Sequence, residues 1–153
     1  YCCPWLIRPE ADFFAGIAYQ RQLARLPLGF SVGVELGAGS HFGMATLPQI
    51  WAGGYLRYNG FPWDHYLRTT ISYTVGVNYA TTVPAAEQRI AVETGTPTSN
   101  LFFYLAPEIS FSLPAQPNVA MFFRVHHRSG LYPRISKSAG ASNVVAAGIR
   151  WTY

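Results

Sequence analysis

The sequence predicts an all-β chain, an antiparallel up-and-down transmembrane β-barrel of about eight strands. Three observations predict it: period-two alternation of apolar and polar residues, a composition half apolar yet poor in charge, and no apolar run long enough for a helical span. Half of the 153 residues are apolar and 16 % are aromatic, against 12 % charged, about half of the roughly 25 % usual in soluble domains. Something other than charge must cover the surface. This length corresponds to one domain, residues 1–153, which a single barrel would nearly use up. Without about 18 consecutive apolar residues, a closed barrel is the remaining way across a bilayer, because lipid cannot satisfy an open backbone edge.

The elements follow in chain order. Ala11 to Gln20 gives a weak first strand. Phe30, Val32, Val34 and Leu36 then alternate with Ser31, Gly33, Glu35 and Gly37. Ile50, Ala52, Gly54, Leu56 and Tyr58 oppose Trp51, Gly53, Tyr55 and Arg57. The cleanest stretch runs from Leu67 to Ala80, with Leu67, Thr69, Ile71, Tyr73, Val75, Val77 and Tyr79 on one side. Phe103, Leu105, Ile109, Phe111 and Leu113 oppose Tyr104, Ala106, Glu108, Ser110 and Ser112. Met121, Phe123, Val125 and His127 oppose Arg124, His126 and Arg128; Val145, Ile149, Trp151 and Tyr153 oppose Gly148, Arg150 and Thr152. These are seven strands of about ten residues.

Which side faces inward follows from its chemistry. The polar side mixes charge with Gly, Ala and Ser, as a narrow interior requires, and its acids Glu35 and Glu108 find counter-charges in Arg57, Arg68, Arg124 and Arg150. An interior ion-pair network of Glu35, Glu108, Arg68, Arg124 and Arg150 is therefore expected, with the greasy side toward lipid. The connections alternate short and long: Arg21 to Leu28, Ala38 to Pro48, Gly60 to Tyr66, Thr82 to Asn100, Pro114 to Pro117, Gly130 to Ala141. Barrels of the bacterial outer membrane have short periplasmic turns and long external loops, which places the chain there with its C-terminus periplasmic. The first strand then descends, so an even count needs a rising strand before it. Tyr1 to Glu10, with Pro4 and Pro9, is a poor candidate for one.

Composition narrows the function. Ten of the eleven basic residues are Arg and only Lys137 is Lys, which suits fixed, paired positions more than a solvated surface. No basic run is interleaved with aromatics, so a nucleic-acid partner is not expected. Cys2 and Cys3 are adjacent and far from any His, so neither a metal site nor a cofactor is expected. No signal peptide opens the sequence, so a secreted form would be a processed one. Gly37-Ala38-Gly39-Ser40-His41-Phe42-Gly43 lacks dinucleotide spacing and reads as a loop, and Asp64-His65 as a turn.

The segment Arg124-Val125-His126-His127-Arg128-Ser129-Gly130 carries the chemistry. His126 joins Arg124 and Arg128 in the interior, whereas His127 and Ser129 share the lipid side at the outer end of their strand, where hydrogen-bond partners are scarce. Their i, i+2 spacing lets a histidine take a proton from a serine hydroxyl. His127-Arg128-Ser129, with Phe61-Pro62-Trp63, Arg68-Thr69-Thr70, Gly140-Ala141-Ser142-Asn143 and the final aromatic, resembles the outer-membrane lipid A deacylases of the acyloxyacyl hydrolase-like group. The motif support covers about half the chain. The resemblance implies a serine esterase that cuts an acyl ester of lipopolysaccharide: Ser129 as nucleophile, His127 as general base, and backbone N–H groups just after the serine, at Gly130, as the oxyanion hole. Two positions depart from the group. Gly130 stands where it has Asn, and Ala141-Ser142-Asn143 stand where it has an acid that orients the histidine. By parity Asn143 shares the side of His127 and Ser129, so its amide is the candidate for that role. The alternative is a non-catalytic barrel that anchors a membrane assembly, with protein partners on its lipid-facing side.

Overall fold

Alternating sequence makes the two faces of a strand unlike, and the right-handed twist of neighbouring strands curls such a sheet so that one face is enclosed. The computed structural model describes residues 13–42, 46–83, 85–130 and 141–153. They form seven strands, β1 (Phe13–Arg25), β2 (Phe30–Phe42), β3 (Leu47–Tyr58), β4 (Arg68–Ala80), β5 (Leu101–Ser112), β6 (Val119–Ser129) and β7 (Ala141–Trp151), and one helix, α1 (Ala85–Thr94), between β4 and β5. Each strand pairs antiparallel with its sequence neighbours, and the sheet is a curled half-barrel. No described helix is long and apolar enough to cross a membrane.

The concave side is the charged one. Glu35 is 1 % exposed and Arg128 likewise 1 %, whereas Ile149 is 76 % and Ile17 79 % exposed on the convex side. The enclosed side of the sheet is therefore polar and not greasy. Leu36, Ile50, Val77, Phe123 and Val145 continue the exposed apolar surface from β2 to β7. Contacts inside reach across strands that do not pair: Phe14 of β1 lies 5.0 Å, ring to ring, from His126 of β6, and Trp51 of β3 lies 4.9 Å from it.

Several strands run past their predicted ends. β1 continues to Arg25 because a bulge between Gln22 and Ala24 absorbs one residue and keeps the ladder to β2 in register. The chain then reverses in a single 3-10 turn, Pro27–Gly29, where Leu28 and Gly29 have φ of 61° and 80°. A side chain at Gly29 would meet the Cα of Gly60 at 2.8 Å, so glycine serves both the backbone angle and the close approach.

The glycine-rich segment read as a loop is strand as far as Phe42. Ala38 pairs with Ile50, Gly39 with Gln49, Ser40 with Pro48 and His41 with Leu47. Gly37 is glycine because the Trp51 indole occupies the space of a Cβ there. This corrects the predicted alternation of loop lengths, since 43–46 between β2 and β3 is shorter than 59–67 between β3 and β4. The two longest connections, 81–100 and 130–140, still fall at one end. That end also carries α1, which contacts β7.

In seven strands that alternate in direction, β1 and β7 run parallel. They cannot close on each other by antiparallel pairing, and among the described residues each pairs along one edge only. Tyr153, just beyond β7, lies near Tyr19 of β1, so the two edges approach there. The expectation of a strand before the first lies outside the described residues.

Candidate functional site

Two constellations occupy the two faces. Inside, Arg124 holds Glu35 through a bidentate fork, Nη1 to Oε1 and Nη2 to Oε2, both at 2.7 Å. Its Nε donates to Glu108 Oε2 at 2.9 Å, and Arg150 pairs with the other oxygen of Glu108. The remaining lone pairs are covered by Trp51 Nε1 on Glu35 at 2.8 Å, Gln20 Nε2 on Glu35 at 2.5 Å and Ser72 Oγ on Glu108 at 3.2 Å. Four of the five residues expected in the interior network are thus joined. Arg68 is not: it is exposed, at the rim of a cavity near the β1–β2 turn. Arg57 donates to Gln20 at 2.6 Å instead of to an acid. Farther toward α1, Asn78 bridges Gln49 at 2.9 Å and His126 at 3.3 Å, and Arg128 lies over the Phe102 ring.

Outside, the register of β6 and β7 sets His127 directly opposite Asn143, and Ser129 opposite Ala141. On the other flank Leu105 pairs with His127, and Phe103 with Ser129. His127 Nδ1 and Asn143 Oδ1 are 2.6 Å apart. Because an amide oxygen only accepts, Nδ1 carries the proton and Nε2 is left as the basic nitrogen. A polar pair on an otherwise apolar face thereby satisfies itself. Ser129, two residues along, shares the outward side and is half-buried, as is His127. Among the described residues no hydrogen bond joins the Ser129 hydroxyl to the imidazole. Gly130 follows the strand and is buried.

The turn residues have local roles. Asp64 accepts the Thr69 N–H at 3.1 Å, Trp63 Nε1 donates to Thr69 Oγ1 at 2.9 Å, and His65 lies against the Tyr66 ring. Among the described residues no three His, Cys, Asp or Glu side chains come together as metal ligands. Sequence reasoning missed Gln20, Gln49 and Asn78 as the neutral links of the interior. Gln49 preceded the predicted start of its strand, so its facing could not be read. No family model, curated protein or solved structure matches this chain.

Proposed function

We propose that the chain is a β-barrel of the bacterial outer membrane and a serine esterase, which removes an acyl chain from lipopolysaccharide in the outer leaflet as a lipid A 3-O-deacylase does. The membrane reading draws support from the apolar convex surface, where Ile17, Leu36, Ile50 and Ile149 are 59–79 % exposed and would otherwise meet water. The esterase reading is carried by one observation, the 2.6 Å contact of His127 Nδ1 with Asn143 Oδ1 on that same surface. It does for the imidazole what the third member of a catalytic triad does: it fixes the tautomer and aims Nε2.

In the proposed reaction Nε2 takes the proton of Ser129 as Oγ attacks the ester carbonyl. The oxyanion is held by the backbone N–H of Gly130. The imidazolium then returns the proton to the leaving alkoxide, and water, activated by the same nitrogen, hydrolyses the acyl-serine. A serine–histidine hydrogen bond of this kind commonly tightens only when substrate engages. Substrate arrives by lateral diffusion in the leaflet, and no cofactor takes part in any step.

The test is incubation of the purified, folded chain with lipopolysaccharide and measurement of released fatty acid. Release supports the reading, and lipid A that stays intact counts against it. Asn143→Ala is expected to slow release about 10- to 100-fold, the worth of one hydrogen bond to an imidazolium in the transition state. Asn143→Asp, which supplies the acid, should release at least as fast as the unsubstituted chain.

One observation favours a second reading: the Ser129 hydroxyl and the His127 ring share no hydrogen bond. A non-catalytic barrel that binds protein partners through its apolar side accounts for that, and it predicts no release under any substitution at Asn143.

A further inference from the structure

Below the interior ion-pair network, toward the β1–β2 turn, lies a cavity of about 590 Å³. Its walls are polar and small. Arg68, Ser112, Ala120 and Arg150 form one continuous rung across β4 to β7, each paired in register with the next. At 4.7–4.9 Å per strand the two arginines are about 14 Å apart along the sheet, with only a hydroxymethyl and a methyl group between them. A rung so built cannot fill its share of the interior, and the cavity is the result.

The charge of this space is not balanced. Arg57, Arg68 and Arg150 line it, with Asp64 the carboxylate among the described lining residues. Asp64 accepts the Thr69 N–H through Oδ1 and supplies a single negative charge against the three arginines. Glu108, at the inner boundary, is shared between Arg124 and Arg150, and Glu35 is held by the Arg124 fork. Arg68 has no carboxylate partner among the described residues. Arg57 gives one donor to Gln20, while its Nε is buried with no hydrogen-bond partner. Three guanidinium groups lining the space against one carboxylate leave an excess of positive charge that an anion in the cavity would offset. Guanidinium forks match the oxygens of a carboxylate or a phosphate.

We propose that this cavity binds a small oxyanion, a phosphate or carboxylate group that enters at the β1–β2 end and is held by Arg57, Arg68 and Arg150. The site is independent of the His127–Asn143 pair on the opposite face of the sheet.

The experiment follows the arginine side-chain Nε–Hε resonances of the full chain, folded in detergent micelles, during titration with inorganic phosphate. A second titration uses acetate, and chloride keeps ionic strength constant in both. The expected result is a saturable shift of the Arg57, Arg68 and Arg150 signals in at least one titration, and the anion that saturates at lower concentration identifies the group. Arg68→Gln should weaken that binding about tenfold or more, as for the loss of a charge-assisted hydrogen bond. Ala120→Leu fills the cavity without altering charge and should abolish saturation while leaving the amide spectrum of the sheet in place. Shifts that stay linear to about 10 mM in both titrations would overturn the proposal. So would saturable binding of equal strength in Arg68→Gln, a substitution at an exposed position.

Discussion

Arg124→Met is expected to destabilise the curled sheet by about 3–5 kcal/mol, the usual consequence of breaking a buried ion pair from one side. The guanidinium is the common partner of two carboxylates from different parts of the sheet, Glu35 on β2 and Glu108 on β5. Without it Glu35 keeps only Trp51, Gln20 and a distant Tyr104 hydroxyl at 3.4 Å, all neutral donors, in a position 1 % exposed. The cost is that of an uncompensated buried charge, not of a lost attraction between two solvated ones. It follows that Glu35→Gln, added to Arg124→Met, should recover most of the stability, because it removes the orphaned charge while Glu108 stays paired with Arg150. Urea unfolding in micelles, followed by tryptophan fluorescence, measures both. Equal midpoints for the single variant and the unsubstituted chain would show that the network carries no stability.

Ser129→Ala is expected to abolish fatty-acid release, a fall of about 10³- to 10⁶-fold for loss of the nucleophile in a serine triad. The same substitution should leave the unfolding free energy within about 0.5 kcal/mol, because Ser129 is half-buried on the convex side and its hydroxyl has no hydrogen bond among the described residues. The pairing of the two readouts matters. Loss of release with unchanged stability assigns the serine to chemistry, whereas release undiminished in Ser129→Ala removes it from the mechanism.

How much of the molecule was legible in the sequence depended on what sets each feature. Facing was legible in the six strands with clear alternation, because the side-chain period of a strand is two and one interior charge such as Glu35 or Arg124 fixes the parity of its whole strand. The opposition of His127 and Asn143 followed from the same parity. Strand ends were not legible, because small residues are ambiguous. Gly37 to Phe42 has a loop's composition, yet its glycines make room for Trp51 and Phe14 in a crowded interior. Helix α1 had a local signal in Ala85-Ala86-Glu87-Gln88-Arg89, all good helix formers, and a C-terminal stop at Gly95, whose φ is 65°. The Thr96 N–H closes on the Ala91 carbonyl at 3.1 Å in the usual glycine-terminated manner. The separation of Arg68 from the ion pairs was invisible in sequence. It depends on which of several same-facing arginines the curl of the sheet brings within reach of Glu108.

Which face meets lipid can be measured directly. Single cysteines at Leu36, Val75 and Ile149 on the convex side, and at Ser72 and Ser110 on the concave side, would each carry a small fluorophore, with Cys2 and Cys3 replaced. In bilayers of lipids brominated along the acyl chain, the three convex labels should be quenched by the lipid and the two concave labels should not. Quenching of the concave pair, or convex labels quenched only by iodide in the water, would contradict the membrane assignment and remove the setting in which the esterase reading operates.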